Sequence, residues 1–380
     1  MIFKFNEDQE LFYQTVHDFM DKEIGRDYVR KCDMEKLYPH EAYEKVAKQG
    51  WLGILIPEEY GGSGGDAILY TIFNEAMGKY NVDFGECLGG GSMIMMNILL
   101  HGSEEQKRYY LPKFIRGEQH FSISITEPNA GSDAASLLCS AVPDGDDFVL
   151  NGQKVFSTGA HIENNTIIMA ARTDKNAPKH KGISLFLVDN KTPGLTFRRL
   201  NTLAKRTIGT NEVFIDEVRV SRKNLIGKLN EGWKYLTSHL ALERICLAGI
   251  YVGAAQTAVH DAMRYAKERI QFNQPIAQFQ VIKHMLVDMQ VEVDAARLLV
   301  YRAAWMHKEG QECVKEAAIA KLYSSEMLLR VSTHGMQILG GYAQMPEYDM
   351  ERHFREAKQA MVGGGTSQIQ RNIIAKAMGL

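Results

Sequence analysis

The 380-residue chain is predicted to fold as an α+β protein in which a β-domain separates two helical regions. Apolar residues recur with a helical period before about residue 118 and again after about residue 231, whereas short β-branched and aromatic runs occupy the stretch between them. We therefore expect an N-terminal helical domain at 1–118, a middle antiparallel β-domain at 119–225 and a C-terminal four-helix-bundle domain at 226–380.

The first region begins with a helix signal. Asn6 precedes an apolar periodic stretch, and Gln9 follows three residues later, which is the spacing of a capping box. The glycine-rich segment IPEEYGGSGGD (Ile56–Asp66) interrupts the helical pattern and is predicted to be a loop. A second glycine run, Gly89–Gly91, precedes several methionines. It is interpreted either as room for an unusual ligand group or as ordinary loop and core.

The middle region contains the runs FSISI, DFVLNGQKVF, TIIMAA, GISLFLVD, LTFRRL and EVFIDEVRV, separated by turn residues. This spacing of short strands is typical of an antiparallel sandwich or barrel. In the third region long periodic segments return with few breakers, and Pro275 and Pro346 are expected at helix boundaries. The stretch MVGGGTSQIQ (Met361–Gln370) places three glycines between two helical segments, where each glycine costs a helix about 1 kcal/mol relative to alanine.

Composition and motifs exclude several classes of protein. A formal net charge of −2 gives no electrostatic reason to bind nucleic acid or an anionic membrane. No apolar run approaches the roughly 18 residues of a membrane span. There is no G-x-G-x-x-G after a strand, no P-loop motif and no H-E-x-x-H, so a nicotinamide Rossmann enzyme, a P-loop NTPase and a metal site are not predicted. Five widely spaced cysteines without C-x-x-C, and no signal-like N-terminus, favour a reducing cytosol.

Six motifs then identify a family. In chain order they are PEEYGG, TEPNAGSD, KVFSTG, ERIQFNQPIAQFQ, QILGGYA and GTSQIQR. Their sequence and order resemble the FAD-dependent acyl-CoA dehydrogenase family over essentially the whole chain. The resemblance implies the acyl-CoA dehydrogenase fold, which has the predicted helix–β–helix order.

The resemblance also implies FAD as the cofactor. The residues at matching FAD-contacting positions are Thr126, Ser132, Phe156, Thr158, Arg269, Phe272, Gln280, Gln337, Gly341, Thr366 and Gln368. Arg269 and Phe272 are predicted to share one helical face at i and i+3, and in the family this pair reaches the FAD of a neighbouring subunit. The alternative is a solvated arginine beside a core aromatic. A shared cofactor implies a homo-oligomer, usually a tetramer in this family.

The catalytic base requires a separate argument. Many family members use the glutamate of Y-E-G-T-S, but here Gly364 occupies its place. Glu243 lies in the strongly apolar stretch SHLALERICLAGIYVGAA. Taken alone, Glu243 could simply pair with His239 or with a cation on another helix. Isovaleryl-CoA and long-chain members, however, carry the base in a similar L-E-R context together with a small residue at the usual site. Glu243 is therefore the predicted base, and burial would raise its pKa toward the working pH.

Substrate contacts follow from the same resemblance. The backbone N–H of Gly364 is expected to hold the thioester carbonyl and to stabilise the enolate. Ser132 and Arg244 match substrate-binding positions, and Ser132 lies near the cofactor as well. Ala241 replaces an aspartate that often contacts the CoA portion, so the anchoring of CoA is left open.

The predicted reaction is FAD-dependent dehydrogenation of an acyl-CoA. Glu243 would remove the α-proton while a hydride leaves the β-carbon for flavin N5, giving a trans-2-enoyl-CoA, and the electrons would pass to an electron-transfer flavoprotein. The alternative is the same chemistry run in reverse, because L-E-R with G-G-G-T also resembles the bacterial crotonobetainyl-CoA reductase subgroup, as does CDMEKLYPHEAY. A flavin oxidase and a nucleic-acid-binding relative are further alternatives. Nitroalkane oxidase uses an aspartate base, so the glutamate found here disfavours it. A nucleic-acid binder would need a basic surface, which a net charge of −2 does not supply. Acyl chain length and physiological direction are left open.

Overall fold

The computed structural model describes residues 4–380. The α-helices are α1 (Glu7–Phe19), α2 (Arg26–Glu35), α3 (His40–Lys48), α4 (Ala67–Met77), α5 (Val82–His101), α6 (Glu104–Ile115), α7 (Gly232–Thr237), α8 (Leu240–Glu268), α9 (Gln280–Lys308), α10 (Val314–Leu339), α11 (Met350–Ala360) and α12 (Ser367–Ala377). The strands are β1 (His120–Ser124), β2 (Ser140–Asp144), β3 (Asp147–Thr158), β4 (Asn165–Arg172), β5 (Ile183–Asp189), β6 (Leu195–Arg199), β7 (Thr210–Ser221), β8 (Leu225–Ile226), β9 (Ile270–Gln271) and β10 (Gln274–Pro275). The predicted order of helices, sheet and helices is confirmed.

The first helix begins where its sequence predicts. The side-chain oxygen of Asn6 accepts a hydrogen bond from the Gln9 backbone at 2.8 Å, and the Gln9 side chain accepts one from the Asn6 backbone at 3.2 Å. Both bonds satisfy backbone donors that a helix start leaves without partners. The capping box is therefore confirmed.

One sheet forms the middle of the chain. Its strand order is β6-β7-β3-β2-β4-β5-β8, and β1 pairs with β4 beside this path. Most pairings are antiparallel, as expected, but β1 and β2 each run parallel to β4. The strand β2 was not among the predicted runs, because Pro143 and Asp144 give it the composition of a turn. Its buried face joins a core that includes Phe148, Leu150 and Phe186.

The described chain groups into two compact units, each assembled from separate segments. The helical unit combines the chain as far as Leu37 with 66–89 and 241–380. The sheet unit combines 38–65 with 90–240. The boundaries expected from the sequence, at 118/119 and 225/226, follow chain order rather than this grouping and stay a prediction.

Glycines set the distance between α4 and α8 in the helical unit. A Cβ on Gly253 of α8 would lie 1.9 Å from the carbonyl oxygen of Glu75, and one on Gly78 would lie 2.3 Å from the carbonyl oxygen of Ile250. Both distances are far below van der Waals contact. Only glycine therefore allows the two backbones to approach this closely.

The run Gly89–Gly91 lies inside helix α5 and is neither a loop nor open space. A Cβ on Gly89 would lie 2.2 Å from Oδ1 of Asn74, and one on Gly91 would lie 2.8 Å from the ring of Phe114. Gly89 and Gly91 therefore allow close packing and leave no room for a ligand group at their own positions. Room elsewhere along this run stays a prediction.

The structure corrects the helix predicted for Arg269 and Phe272. The helix α8 ends at Glu268, and β9 and β10 form a short hairpin immediately afterwards. At its tip, Phe272 and Asn273 both have positive φ, 51° and 61°, as a tight two-residue hairpin turn requires. A right-handed helix cannot contain such a pair, so Arg269 and Phe272 do not share a helical face.

All five cysteines are buried thiols, and none of them forms a disulfide. Between residues 4 and 380, no helix is both long enough and apolar enough to cross a membrane.

Candidate active site

The predicted site residues fall into two groups. Thr126, Ser132, Phe156 and Thr158 belong to the sheet unit. The others belong to the helical unit, and they are Glu243, Arg244, Arg269, Phe272, Gln280, Gln337, Gly341, Gly364, Thr366 and Gln368.

Glu243 lies in the first turn of α8 among buried apolar neighbours, which include Leu242, Ile245 and Cys246. Within the described residues, no group hydrogen-bonds to its carboxylate or forms an ion pair with it. Burial raises the pKa of Glu243, the charges of Arg244 and Lys321 lower it, and the charge of Glu86 raises it; the net shift is upward. The carboxyl therefore holds a proton more readily than an exposed glutamate does.

His239, the alternative ion-pair partner of Glu243, lies beside Asn97 instead. Its Nε2 lies 3.4 Å from the side-chain amide nitrogen of Asn97. Burial lowers the pKa of His239 to about 4, so the ring is neutral at pH 7. A neutral imidazole would not act as the counter-ion of a glutamate.

Gly364 lies in the loop between α11 and α12 and has a φ of 62°, in the left-handed region. A Cβ built on this residue would lie 4.0 Å from Oε1 of Glu243, 3.9 Å from Cε of Lys321 and 2.6 Å from Cδ1 of Leu247. The two predicted catalytic residues are therefore neighbours, although they are far apart in the sequence.

Two side chains hold the carbonyl groups of this glycine loop. Lys321 Nζ donates to the carbonyl oxygens of Ala360 at 2.9 Å and Gly365 at 2.8 Å. Gln370 Nε2 donates to those of Gly364 at 3.0 Å and Gly365 at 3.1 Å. Among residues 4–380, no acceptor pairs with the backbone N–H of Gly364, and this residue is exposed. The loop thus presents a free backbone donor next to Glu243.

Lys321 and Gln370 were not among the site residues predicted from the sequence. The one available signal for Lys321 was a lysine inside the apolar run AAIAKLY. A lysine with no exposed side-chain surface normally has a specific partner. The pattern indicated neither its burial nor its contact with a loop about forty residues later in the chain.

Arg244 is buried, with 9% of its surface exposed. Its Nε has no hydrogen-bond partner within the part of the chain described. Burial lowers the pKa of Arg244 and the charge of Glu243 raises it, with a net lowering. A buried guanidinium without partners is costly, and a carbonyl or anionic group of a ligand would offset that cost.

In the sheet unit, the ends of β1 and β3 bring Thr126 and Phe156 together. The backbone N–H of Val155 donates to the carbonyl of Thr126 at 2.9 Å. The β3–β7 register shifts between Lys154 and Ser157, and Phe156 in this bulge has a φ of 56° and is 60% exposed. Strained backbone and an exposed aromatic ring are both costly, and such features are frequent at ligand sites.

Thr158 follows at the end of the same strand. It lies opposite Thr210, whose hydroxyl oxygen is buried and has no partner in the described structure. The hydroxyls here can therefore serve a ligand with polar edges.

The loop that carries Ser132 is anchored by a buried ion pair. Lys154 Nζ lies 2.8 Å from Oε1 of Glu127, and the same carboxylate accepts from the backbones of Leu138 at 2.6 Å and Cys139 at 2.8 Å. Ser132 itself is exposed in this loop. The sequence analysis did not identify Glu127 and Lys154, which hold the loop against β3.

In the helical unit, the hairpin and the end of α10 form a second surface. The guanidinium of Arg269 lies over the ring of Tyr342 at 5.6 Å, and Phe272 is 86% exposed. A Cβ on Gly341 would meet nothing within 4 Å, and Gln337 is exposed one turn before it. An open backbone beside a cation and aromatic rings suits a flat anionic ligand.

The remaining predicted contacts begin helices. Gln280 is the first residue of α9 and is exposed. Thr366 caps α12 by accepting from the backbone N–H of Ile369 at 3.2 Å, and Gln368 is exposed in the first turn. Exposed donors at helix starts favour anionic groups of a ligand.

These residues fit FAD in their chemistry. A flat isoalloxazine matches the exposed ring of Phe156 and the hydroxyls around Thr158, and a pyrophosphate matches Arg269. The contact of each residue with the cofactor stays a prediction.

Family models cover nearly the whole chain. The acyl-CoA dehydrogenase N-terminal domain matches residues 6–118, the middle domain matches 122–218, and the C-terminal domain matches 230–379.

Three curated relatives are similar over almost their full length. The probable acyl-CoA dehydrogenase YngJ of Bacillus subtilis is 39% identical, covering 100% of both chains. The 3-(aryl)acrylate reductase of Clostridium sporogenes is 37% identical, covering 98% of both. The caffeyl-CoA reductase-Etf complex subunit CarC of Acetobacterium woodii is 35% identical, covering 98% of both.

Solved structures of similar proteins also match over the full length of the chain. Butyryl-CoA dehydrogenase from Megasphaera elsdenii matches with a TM-score of 0.94 and 33% identity, covering 100% of both chains. A structure of PigA with FAD and proline matches with a TM-score of 0.95 and 27% identity, also covering 100% of both.

Proposed function

Since this chain belongs to the acyl-CoA dehydrogenase family of FAD-dependent oxidoreductases acting on CH–CH bonds, we propose that it converts an acyl-CoA to the trans-2-enoyl-CoA with Glu243 as the base. One observation carries the proposal. Oε1 of Glu243 lies 4.0 Å from the point where a side chain at Gly364 would begin. A carboxylate from α8 thus reaches the place that a glutamate in the α11–α12 loop would otherwise fill.

In this reaction Glu243 takes the proton from the α-carbon of the thioester. Its raised pKa suits this task, because a general base works best when its pKa is close to the working pH. When bound, FAD supplies the acceptor for the hydride that leaves the β-carbon. The free N–H of Gly364 binds the thioester carbonyl, where negative charge accumulates as the proton leaves. Arg244 binds a polar part of the CoA thioester.

The residues proposed to hold FAD are those at the family positions, on both units. Thr126, Phe156 and Thr158 bind the flavin ring, and Ser132 lies beside it and the substrate. Arg269, Phe272, Gln280, Gln337 and Gly341 bind the FAD of a neighbouring subunit, and Thr366 and Gln368 complete the set. The exposed aromatic ring of Phe272 on the hairpin and the exposed Arg269 just before it support the intersubunit part of this proposal.

The first test replaces the base. Glu243→Gln should retain FAD and lose flavin bleaching by acyl-CoA by about 10²–10⁴-fold, since the amide keeps the shape but cannot accept the proton. Glu268→Gln, an exposed position at the other end of α8, is the matched control. Substantial turnover in Glu243→Gln would assign the base to another residue. If no acyl-CoA bleaches the flavin of the unaltered protein, the dehydrogenase proposal itself is wrong.

A second candidate function is the reverse reaction, reduction of an enoyl-CoA. The names of two relatives, a 3-(aryl)acrylate reductase and a caffeyl-CoA reductase subunit, favour this direction. Here protonated Glu243 would deliver the proton to the α-carbon, and reduced FAD, when bound, would supply the hydride for the β-carbon.

The pH dependence of the two directions should be opposite. Dehydrogenation needs ionised Glu243 and should be lost as the pH falls through its raised pKa, whereas enoyl reduction needs the protonated acid and should be lost as the pH rises through it. Single-turnover bleaching and reoxidation of the flavin between about pH 5 and 9 would measure both limbs. A dehydrogenation rate without an acid limb, or an enoyl reduction that is lost at that same acid limb, would contradict the role of Glu243.

We further propose that electrons pass to an electron-transfer flavoprotein. CarC is named as a subunit of a complex with Etf, and a structure from an Acidaminococcus fermentans electron-transferring flavoprotein study matches with a TM-score of 0.95 and 34% identity. Rapid reoxidation of the reduced protein by oxygen instead would favour the oxidase alternative.

The chain is also proposed to act as a homo-oligomer, and the tetramer of the family is the first arrangement to test. Four large apolar residues of α9, namely Val287, Val291, Leu298 and Trp305, are exposed and recur on one face.

The proposed location is the cytoplasm. All five cysteines are buried thiols outside any disulfide, which supports this location, because thiols stay reduced there.

A further inference from the structure

Lys321 of α10 has no exposed side-chain surface, which is rare for a lysine. Its ammonium donates to two backbone carbonyls, those of Ala360 and Gly365, and within residues 4–380 it has no carboxylate in ion-pair contact. A buried cation held only by carbonyl oxygens is costly. The position of Lys321 next to the glycine loop indicates a function that offsets this cost.

The lysine and the proposed base flank the same glycine. Cε of Lys321 and Oε1 of Glu243 lie 3.9 Å and 4.0 Å from the point where a Cβ on Gly364 would stand. On the other side of the loop, Gln370 donates to the carbonyls of Gly364 and Gly365. The carbonyl of Gly365 is thus held from two sides, which restricts rotation of the peptide groups around Gly364.

Charged groups on three helices act on Lys321. Arg244 of α8 lowers its pKa, while Glu86 of α5, Glu243 of α8 and Glu326 of α10 raise it. Burial is the largest influence, and the pKa falls to about 8. The charge on Lys321 in turn lowers the pKa of Glu243.

We propose that Lys321 is a positioning residue of the reaction: its hydrogen bonds fix the loop that presents the Gly364 N–H to the thioester carbonyl, and its charge stabilises negative charge on the neighbouring Glu243 carboxylate. This inference rests on the proposed function. As the proton moves from the α-carbon to Glu243, negative charge moves from that carboxylate to the thioester oxygen. Because both sites adjoin Gly364, one fixed cation beside the loop stabilises the charge before and after the transfer.

The test compares variants at one position. Lys321→Met removes the charge and both donors at nearly the same length, and Lys321→Arg keeps the charge. Lys315→Met, an exposed lysine on the same helix, is the matched control. Two readouts are used. One is the pH profile of flavin bleaching by acyl-CoA. The other is the ultraviolet absorbance of a bound 3-oxoacyl-CoA, whose acidic α-proton reports enolate formation without turnover.

In Lys321→Met the acid limb of the profile should move to higher pH, because Glu243 loses a nearby positive charge that lowers its pKa. The pH at which the bound 3-oxoacyl-CoA ionises should rise as well, and kcat should fall by at least about tenfold with a smaller change in KM. The unaltered protein should show an alkaline limb near pH 8, where Lys321 loses its proton, and Lys321→Arg should move that limb upward. Lys315→Met should behave as the unaltered protein.

A folded, flavin-containing Lys321→Met with both readouts unmoved would overturn the inference and leave Lys321 a structural residue. If Lys321→Met does not fold, Lys321→Arg decides, because an alkaline limb that stays in place would also overturn it. Failure of the unaltered protein to bleach with any acyl-CoA would instead reject the proposed function.

Discussion

At the scale of single residues, Gly364 is restricted by its backbone and by its neighbours. A side chain there would adopt left-handed backbone, which costs about 1–2 kcal/mol, and would meet Leu247 at 2.6 Å. We expect Gly364→Ala to lower the free energy of unfolding by about that amount and to slow flavin bleaching, since Leu247 must move beside Glu243.

Urea unfolding and single-turnover bleaching would measure these two effects. Adding Leu247→Ala should relieve the contact but not the backbone strain, so only part of the loss should return. A Gly364→Ala protein unchanged in both measurements would show that this loop adapts more freely than its geometry indicates.

The residues around Gly364 also show which parts of the site could be predicted from the sequence. Glu243 and Gly364 were identified through the resemblance, because each lies in a short linear motif, L-E-R and G-G-G-T, that can be compared directly with the motifs of the family. Lys321 and Gln370 were missed because their roles arise from hydrogen bonds to backbone carbonyls. Backbone acceptors leave no trace in side-chain patterns.

At the scale of elements, the contact of α8 with α4 gives a matched pair of substitutions. A Cβ on Gly253 would lie 1.9 Å from a backbone oxygen, whereas one on Gly249, a turn earlier, would come no closer than 3.3 Å to its neighbours. We expect Gly253→Ala to cost about 3 kcal/mol or more, because two backbones must separate. Gly249→Ala should be nearly neutral, since the better helix propensity of alanine, about 1 kcal/mol, offsets the tight contact.

Chemical denaturation of both variants would measure this difference. Equal stabilities for the two would mean that α4 and α8 can move apart at little cost, in disagreement with the packing described.

Elements differ in how well the sequence predicted them. The strands β3 to β7 were predicted because their β-branched and aromatic residues are continuous. The hairpin at Phe272 was predicted as helix, because a helical spacing of two residues does not reveal positive φ; Asn273 was the available signal, since asparagine favours such turns. The glycines of α5 gave the opposite error: they suggested a loop, whereas the segment is helical and Asn74 and Phe114 fill the space that side chains at Gly89 and Gly91 would need.

At the scale of the whole molecule, the exposed apolar face of α9 predicts self-association. Replacing Val291 by lysine places a charge in the middle of this face, and we expect the assembly to dissociate to smaller species because burying an unpaired charge is costly. Analytical ultracentrifugation would measure the change. Val142→Lys, on an exposed position of β2, is the control.

An unaltered sedimentation coefficient for Val291→Lys would mean that α9 is not the interface. Dissociation of both Val291→Lys and Val142→Lys would instead indicate a general effect of added charge.

The order of helices and strands along the chain was predictable because periodicity is a local property of sequence. The grouping into two compact units was not, because each unit joins segments that are not continuous in the chain, and in the helical unit residues 90–240 lie between two of them. No local pattern encodes which distant segments will pack together.

That grouping has a consequence for synthesis on the ribosome. The helix α4 is almost entirely buried and packs on α1 and on α9, which begins only at Gln280. At about 5–20 residues per second, the apolar side chains of α4 leave the ribosome on the order of ten or more seconds before α9 exists. During that interval α4 has no partner from the late segment, so nascent chains stalled before α9 should be clients of chaperones, whereas the strands of the sheet unit are complete well before termination.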